Sequence, residues 1–267
     1  MSAERISNLN DERLAPYRAL KDRELARDGS GRFIVEGENV VRRLLASRYP
    51  TESVLVPERR ALDIAAIVPP EVPLYIVPNS LIHDIVGFHF HQGVIACGRR
   101  APRTTLEQLA SDWSERVTLV ICPDLNNTEN LGSLIRIAAG FGAAAMILGP
   151  QSCDPFFRQS IRVSMGTVFS LPIIEADDLM RDLSQLRERW GVELISTVLD
   201  TNAEPLCSAD RRDRIAILFG NEARGLDDTW QSACDRRVTI PMHHDTDSLN
   251  VAVAAGVVMY HFTSRRV

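Results

Sequence analysis

Three short polar stretches hold the residues of this 267-residue chain best suited to chemistry, and each stands where an apolar run ends. The first, CPDLNNTENLGSLIRIAAGFG, offers Asn127, Thr128 and Asn130 as candidate caps of a helix, Gly132 for close approach, and Arg136 almost two turns in. The second, LFGNEARGLDDTW, sets Asn221 and Glu222 between Gly220 and Gly225, where a sharp turn can present backbone N–H groups to a ligand. It ends in neither GKS nor GKT and contains no GxGxxG, so it matches no standard nucleotide loop. The third, IPMHHDTDSLNVAVAAG, passes from the polar cluster His243 to Asp247 through Ser248, Leu249 and Asn250 into a small-sided helix. Ser248 is the expected N-cap of that helix, and the stripe Ala252, Ala255 and Gly256 lets another backbone come close.

Taken singly, each stretch also has a plain structural reading: a capped helix, an ordinary glycine turn, tight helix packing. His243, His244, Asp245 and Asp247 do not read as a metal site, because neighbouring loop histidines need a partner elsewhere and no HExxH or comparable spacing supplies one. In GFHFHQG, His89 and His91 fall on one face of a strand. That segment reads as a partly buried edge strand, or as a surface that meets RNA bases through the histidines and Phe88 or Phe90.

The elements that must position these residues form two groups. Residues 1 to 30 are polar and helix-prone and end at a Gly/Ser break, RDGSGRF. RFIVEGENVVRRLLAS then predicts a strand and a helix with Val40, Val41, Leu44 and Leu45 on one face, and SVLVP, PLYIVP and GVIACG predict further short strands. A linker around Pro102 separates this small α/β module, residues 1–103, from a second, residues 104–267. There VTLVIC, AAMILG, VELISTV, RIAILFG and RVTIP alternate with helices near 130–141, 155–164, 177–190 and 249–263. Such alternation predicts a parallel sheet with helices on both faces and ligands at the carboxyl ends of its strands.

Composition sets bounds on function. A chain of this length buries about 70 to 75% of its unfolded surface, and 45% hydrophobic with 24% charged residues describes a soluble globular protein. No run approaches the roughly 18 apolar residues of a membrane span, and the charged N-terminus lacks the apolar core of a signal peptide, so a cytoplasmic protein is expected. Cys97, Cys122, Cys153, Cys207 and Cys234 form no CxxC pair and read as buried thiols of a reducing compartment. The formal charge of −5 is uneven: residues 1–103 carry 15 basic against 13 acidic side chains, the remainder 15 against 22. The first module is therefore the better landing place for a polyanion. Of the basic residues only Lys21 is not Arg, which fits a compositional bias as well as a use of Arg forks on phosphate.

In order, NLGSLIR, LFGNEARGL and IPMHHDTDSLNVAVAAG resemble the three signature motifs of the SpoU, or TrmH-like, branch of the SPOUT RNA methyltransferases. RFIVEGENVVRRLL and HQGVIA resemble that family's small substrate-binding domain, similar to the ribosomal protein L30e fold, so the likeness covers nearly the whole chain. It implies an α/β architecture in which a C-terminal trefoil-knotted domain with a parallel sheet follows a small L30e-like α/β domain. It further implies S-adenosylmethionine as cofactor, no metal, a homodimer through the C-terminal domain, and RNA, rRNA before tRNA, as substrate.

On this resemblance the cofactor lies against the backbone at Leu218, Gly220, Ile240, Met242 and Leu249, while Asn130, Arg136, Glu222, Ser248 and Asn250 occupy polar active-site positions. The implied reaction is methylation of a ribose 2′-OH, a poor nucleophile at neutral pH that needs in-line positioning and help for its departing proton. Arg136 is the family's proposed base; an always-protonated guanidinium is better suited to holding a phosphate and stabilising charge on the 2′-oxygen. Ala223 stands where many relatives have Gly, and the histidine-rich loop 243–247 also departs from the common pattern. The competing class is a noncatalytic RNA-binding module of the same fold. A nucleotide-cofactor oxidoreductase is disfavoured by the missing dinucleotide fingerprint.

Overall fold

The computed structural model describes residues 3–18, 29–87, 93–244 and 248–264. The segment with His89, His91, Phe88 and Phe90, and Asp245 to Asp247 of the polar cluster, lie outside these residues. The chain divides into two compact units, residues 1–102 with 156–170, and residues 103–155 with 171–267.

The first unit begins with β1 (Ala3–Arg5) and a 3-10 turn, Glu12–Tyr17, where the sequence predicted helix. Three residues cannot display an alternation, and β1 is held by parallel pairing with a later strand rather than by its own pattern. There follow β2 (Arg32–Glu36), α1 (Glu38–Leu45), β3 (Thr51–Pro57), α2 (Ala61–Ala65), β4 (Leu74–Val77), α3 (Ile82–Val86) and β5 (Ile95–Arg99). The sheet order is β1-β4-β3-β5-β2, parallel among β1, β4 and β3 and antiparallel where β5 joins β3 and β2. One face packs Ile34, Leu55 and Ile95 against Leu14, Tyr17, Ile82 and Ile85. On the other face, α1 buries Val40, Val41 and Leu44 as helical spacing predicts, while Leu45, expected with them, is only half-buried.

The second unit is built from α4 (Leu106–Ala110), β6 (Val117–Cys122), α5 (Thr128–Gly140) and β7 (Ala145–Leu148). The chain then leaves it for α6 (Arg158–Val163) and returns with β8 (Ile173–Glu175), α7 (Leu179–Trp190), β9 (Glu193–Thr197), β10 (Glu204–Pro205), β11 (Arg214–Leu218), α8 (Asp228–Ser232), β12 (Arg236–Thr239) and α9 (Val251–Ser264). All seven strands are parallel, in the order β10-β12-β9-β11-β6-β7-β8. Every residue of β6 is buried, which is why the central strands read as unbroken apolar runs. Val117, Leu119, Ile121, Ala216 and Leu218 face α7 and Leu106 of α4. The opposite parity faces α5 and α9, which pack on each other and bury Leu131, Leu134, Ile135, Val258, Met259 and Phe262. Truncating a fully buried leucine such as Leu134 would cost about 2–5 kcal/mol.

Two sequence expectations change here. The helix predicted at 155–164 exists as α6, but it packs in the first unit instead of taking its turn in the parallel alternation. Phe156 and Phe169 join Phe33 and Tyr49, with centroids 5.0 Å (Phe33–Phe156) and 5.8 Å (Tyr49–Phe169) apart, and Arg43 Nη1 donates to the Met165 carbonyl at 2.5 Å. Gly98 makes room for this cluster, since a Cβ there would stand 2.5 Å from Phe33 Cζ. The cysteines are also not uniformly buried: Cys97 and Cys122 are, Cys153 and Cys234 are half-buried, and Cys207 is exposed in a short 3-10 turn. Among the described residues no helix is long and apolar enough to cross a membrane.

Candidate active site

The carboxyl ends of β6, β11 and β12 gather the three polar stretches. After β6 the chain turns through Asp124 and Asn126, and Asn127 caps α5 by accepting from the amides of Glu129 (2.8 Å) and Asn130 (3.1 Å). That cap fixes Asn130 in the first turn of α5. After β11 comes the turn Gly220–Gly225, closed by paired hydrogen bonds between Asn221 and Gly225 of 3.0 and 2.8 Å. Gly220 cannot carry a side chain, because a Cβ would lie 2.2 Å from the Gly225 carbonyl carbon. Asn221 Oδ1 accepts from the Ala223 amide at 2.9 Å and completes a rigid turn that presents Glu222 to solvent.

The third stretch meets the other two through Asn250. Its Oδ1 accepts from the Ala252 amide at 2.9 Å, so Asn250, and not Ser248, caps α9. Ser248 is exposed two residues earlier and, among the described residues, makes no hydrogen bond to the helix start. The cause is spacing: the helix begins at Val251, and only its immediate neighbour places a side-chain oxygen over the first free amides.

Asn250 Nδ2 donates to Asn130 Oδ1 at 3.0 Å, and Asn130 Nδ2 donates to Glu222 Oε1 at 2.8 Å. The relay has one direction. The Ala252 N–H must be accepted and a carboxylate can only accept, so both amides between them have their orientation set. Three residues 92 and 120 positions apart in sequence are thereby joined in one polarised chain. Glu222 Oε2 has no hydrogen bond among the described residues. Arg136 is exposed on α5 and has no ion-pair partner among them either. Behind the relay, burial pushes the Cys122 thiol up and the Cys153 thiol up to about 12, with the Glu222 charge adding to each. Neither is a thiolate nucleophile at neutral pH.

Ile240, Met242 and Leu249 line a narrow cleft of about 80 Å³ at the carboxyl ends of β9 and β12, with Thr197, Leu199 and Ala254 among the other walls. Leu218 does not line it: its side chain is in the sheet core, and its carbonyl accepts from Thr197 Oγ1 at 2.8 Å. Gly220 borders a larger cleft of about 600 Å³ with Asp124, Asp178, Asp227 and Trp230. Thr197 and Leu199 went unmarked in sequence, although the end of the VELISTV strand is where a parallel sheet places ligand contacts. On α9, Ala255 is buried, but among the described residues nothing comes within 4 Å of a Cβ built on Gly256, and Val253, Val257 and Tyr260 are exposed.

The profile of the SpoU rRNA Methylase family matches residues 117–260, a span that holds all ten marked residues. A tRNA/rRNA methyltransferase of Mycobacterium bovis, uncharacterized by its name, is 34% identical over 97% of this chain and 91% of its own length. The 23S rRNA (guanosine-2′-O-)-methyltransferase RlmB of Acinetobacter baylyi is 32% identical over 70% of this chain and 76% of its own. Among solved structures, the AdoMet-bound rRNA methyltransferase of Sinorhizobium meliloti superposes with a TM-score of 0.84 at 24% identity, covering 99% of each chain. An RNA 2′-O ribose methyltransferase does so with a TM-score of 0.78 at 27% identity, covering 97% of each. The chain belongs to the SpoU rRNA methylase family.

Proposed function

We propose that this chain transfers a methyl group from S-adenosylmethionine to a ribose 2′-OH of structured RNA, with ribosomal RNA favoured over tRNA. The observation that carries the reading is the Asn250–Asn130–Glu222 relay, which unites the three family motifs at the carboxyl ends of a parallel sheet. The names of the relatives point the same way, since RlmB is a guanosine-2′-O-methyltransferase of 23S rRNA.

The residues fit the cofactor. The cleft at Ile240, Met242 and Leu249 is lined mainly by apolar side chains, suited to the faces of a purine, and lies at the carboxyl ends of β9 and β12. When bound, S-adenosylmethionine supplies a methyl group on a sulfonium, an excellent leaving group. What remains for the chain is to orient the ribose and to receive its proton. Arg136 serves as a donor and not as a base: its guanidinium holds the neighbouring phosphate and the charge that grows on the 2′-oxygen. Glu222 Oε2, which the relay leaves open, can accept the proton, while Asn130 fixes the carboxylate through Oε1. Ser248, exposed at the entrance to α9, is placed to contact the nucleotide.

The rest of the reading follows the family. The C-terminal unit is a trefoil knot, the first unit is an L30e-like RNA-binding domain, and the protein acts in the cytoplasm as a homodimer. The exposed apolar stripe Val253, Val257 and Tyr260, beside a Gly256 that no described residue packs against, is the face on α9 that a second copy would cover. The test is transfer of labelled methyl from S-adenosylmethionine to ribosomal RNA by purified protein, followed by nuclease digestion. A 2′-O-methylnucleoside is the expected product. Label on a base, or no saturable binding of S-adenosylmethionine, would overturn the proposal.

A further inference from the structure

Glu222 is exposed at the tip of its turn, and a glutamate in that position loses side-chain rotamer freedom when it is held. Its hydrogen bond from Asn130 forms only if the backbone of the turn is already aimed at α5. The bonds inside the turn give it its shape, but they neither aim it nor anchor it against opening. Two contacts do, one from Asn221 just before Glu222 and one from Arg224 two residues after it. Asn221 Nδ2 donates to the Asp124 carbonyl at 3.1 Å, and Arg224 Nη2 donates to Asp124 Oδ2 at 2.7 Å.

Both contacts end on one residue, and its place in the chain matters. Asp124 lies between β6 and the cap of α5, so it is tied covalently to the helix that carries Asn130. Its second carboxylate oxygen accepts from Asn126 Nδ2 at 2.6 Å, which holds the side chain toward the turn. The Asp124 side chain is only 23% exposed, whereas that of Arg224 is 74% exposed. The pair is therefore anchored on its acidic side and screened on its basic side.

We propose that Asp124 and Arg224 form a positioning latch that clamps the Gly220–Gly225 turn onto the approach to α5 and so holds Glu222 where the relay can use it. The proposal rests on the methyl-transfer reading for its kinetic consequence, but not for its structural one. Neither residue needs to touch substrate; both act through Glu222.

The experiment uses the full-length protein. Asp124→Ala and Arg224→Ala should each lower kcat for methyl transfer about tenfold, with KM for RNA and Kd for S-adenosylmethionine within about twofold of wild type. The double variant should fall no further than either single one, and Arg224→Lys should regain most of the rate. In parallel, amide hydrogen exchange of Ala223 and Gly225 in the cofactor-free protein should quicken in Asp124→Ala. Unchanged kcat, losses that multiply in the double variant, or exchange as slow as wild type would each overturn the latch. So would a rise in RNA KM confined to Arg224→Ala, which would make Arg224 a direct RNA contact. If the wild-type protein transfers no methyl group to any RNA, the methyl-transfer reading fails, and the exchange measurement still decides whether the latch exists.

Discussion

The two ends of the seven-stranded sheet use charge in opposite ways. At the amino ends, Glu193 at the start of β9 is buried and receives Arg212 at 3.0 Å and Arg236 at 3.1 Å, while Arg236 also reaches Glu204 at 2.8 Å and the Asp210 carbonyl at 2.9 Å. Nearby, Arg214 donates to the carbonyls of Trp190, Glu115 and Ser114. At the carboxyl ends, Glu222 is exposed and keeps one oxygen without a hydrogen bond among the described residues, and further along α5 Arg136 is exposed to solvent as well. The same strands supply both ends. Charges that are saturated close the fold, and charges left partly unmet remain available to a substrate.

This contrast can be broken at either end. The largest effect is expected from Arg136→Ala, which should lower methyl transfer by about 100-fold to 1000-fold with cofactor affinity nearly unchanged. Retained transfer in a labelled-methyl assay would remove Arg136 from the reaction. Next, Arg236→Ala should cost about 2 kcal/mol in urea unfolding, less than the usual cost of stripping a buried pair because Arg212 still serves Glu193. Its rate per folded molecule should match wild type; a lower rate would show that the two ends are not separable.

Glu222→Gln should reduce kcat about tenfold and leave stability within about 0.5 kcal/mol, since the carboxylate is exposed. The smallest effect belongs to Asp182 on α7, a buried carboxylate 3.6 Å from the Arg181 guanidinium. Burial raises its carboxyl above the usual range, so the folded chain binds this proton more tightly than the unfolded chain. The stability it contributes is present in acid and lost as the pH rises through the folded-state value. Asp182→Asn should therefore stabilise at pH 7 by no more than about 0.5 kcal/mol, given solvent screening, and the gain should vanish below about pH 4. Melting curves at pH 7 and pH 3.5 would show it.

The strands VTLVIC, AAMILG, VELISTV and RIAILFG were readable because a parallel strand covered on both faces is apolar throughout. The pieces that escaped were β1, β8, β10, α2, α3, α4 and α8, each of five residues or fewer, too short for a period of either kind to show. The residues of the relay were marked by their motifs, yet nothing in sequence pairs Asn250 with Asn130 or Asn130 with Glu222; that depends on strand order. The cap of α9 was misplaced by two residues because Ser248 and Asn250 are equally good cap types, and only the start of the helix decides between them. Asp124 and Arg224 carried no signal, since an acid and a base 100 positions apart declare a pairing only once β6 and β11 lie side by side.

The segment 156–170 also sets the order in which the chain can fold. As the protein leaves the ribosome, the first unit cannot close its aromatic cluster when Pro102 emerges, because Phe156 and Phe169 have yet to be made. At about 5–20 residues per second, Phe33 and Tyr49 wait roughly 3 to 14 seconds for their partners. During that delay β6, α5 and β7 are synthesised, so the N-terminal unit is finished only after the second has begun. A nascent chain of this kind leans on whatever shields its apolar surface in the meantime.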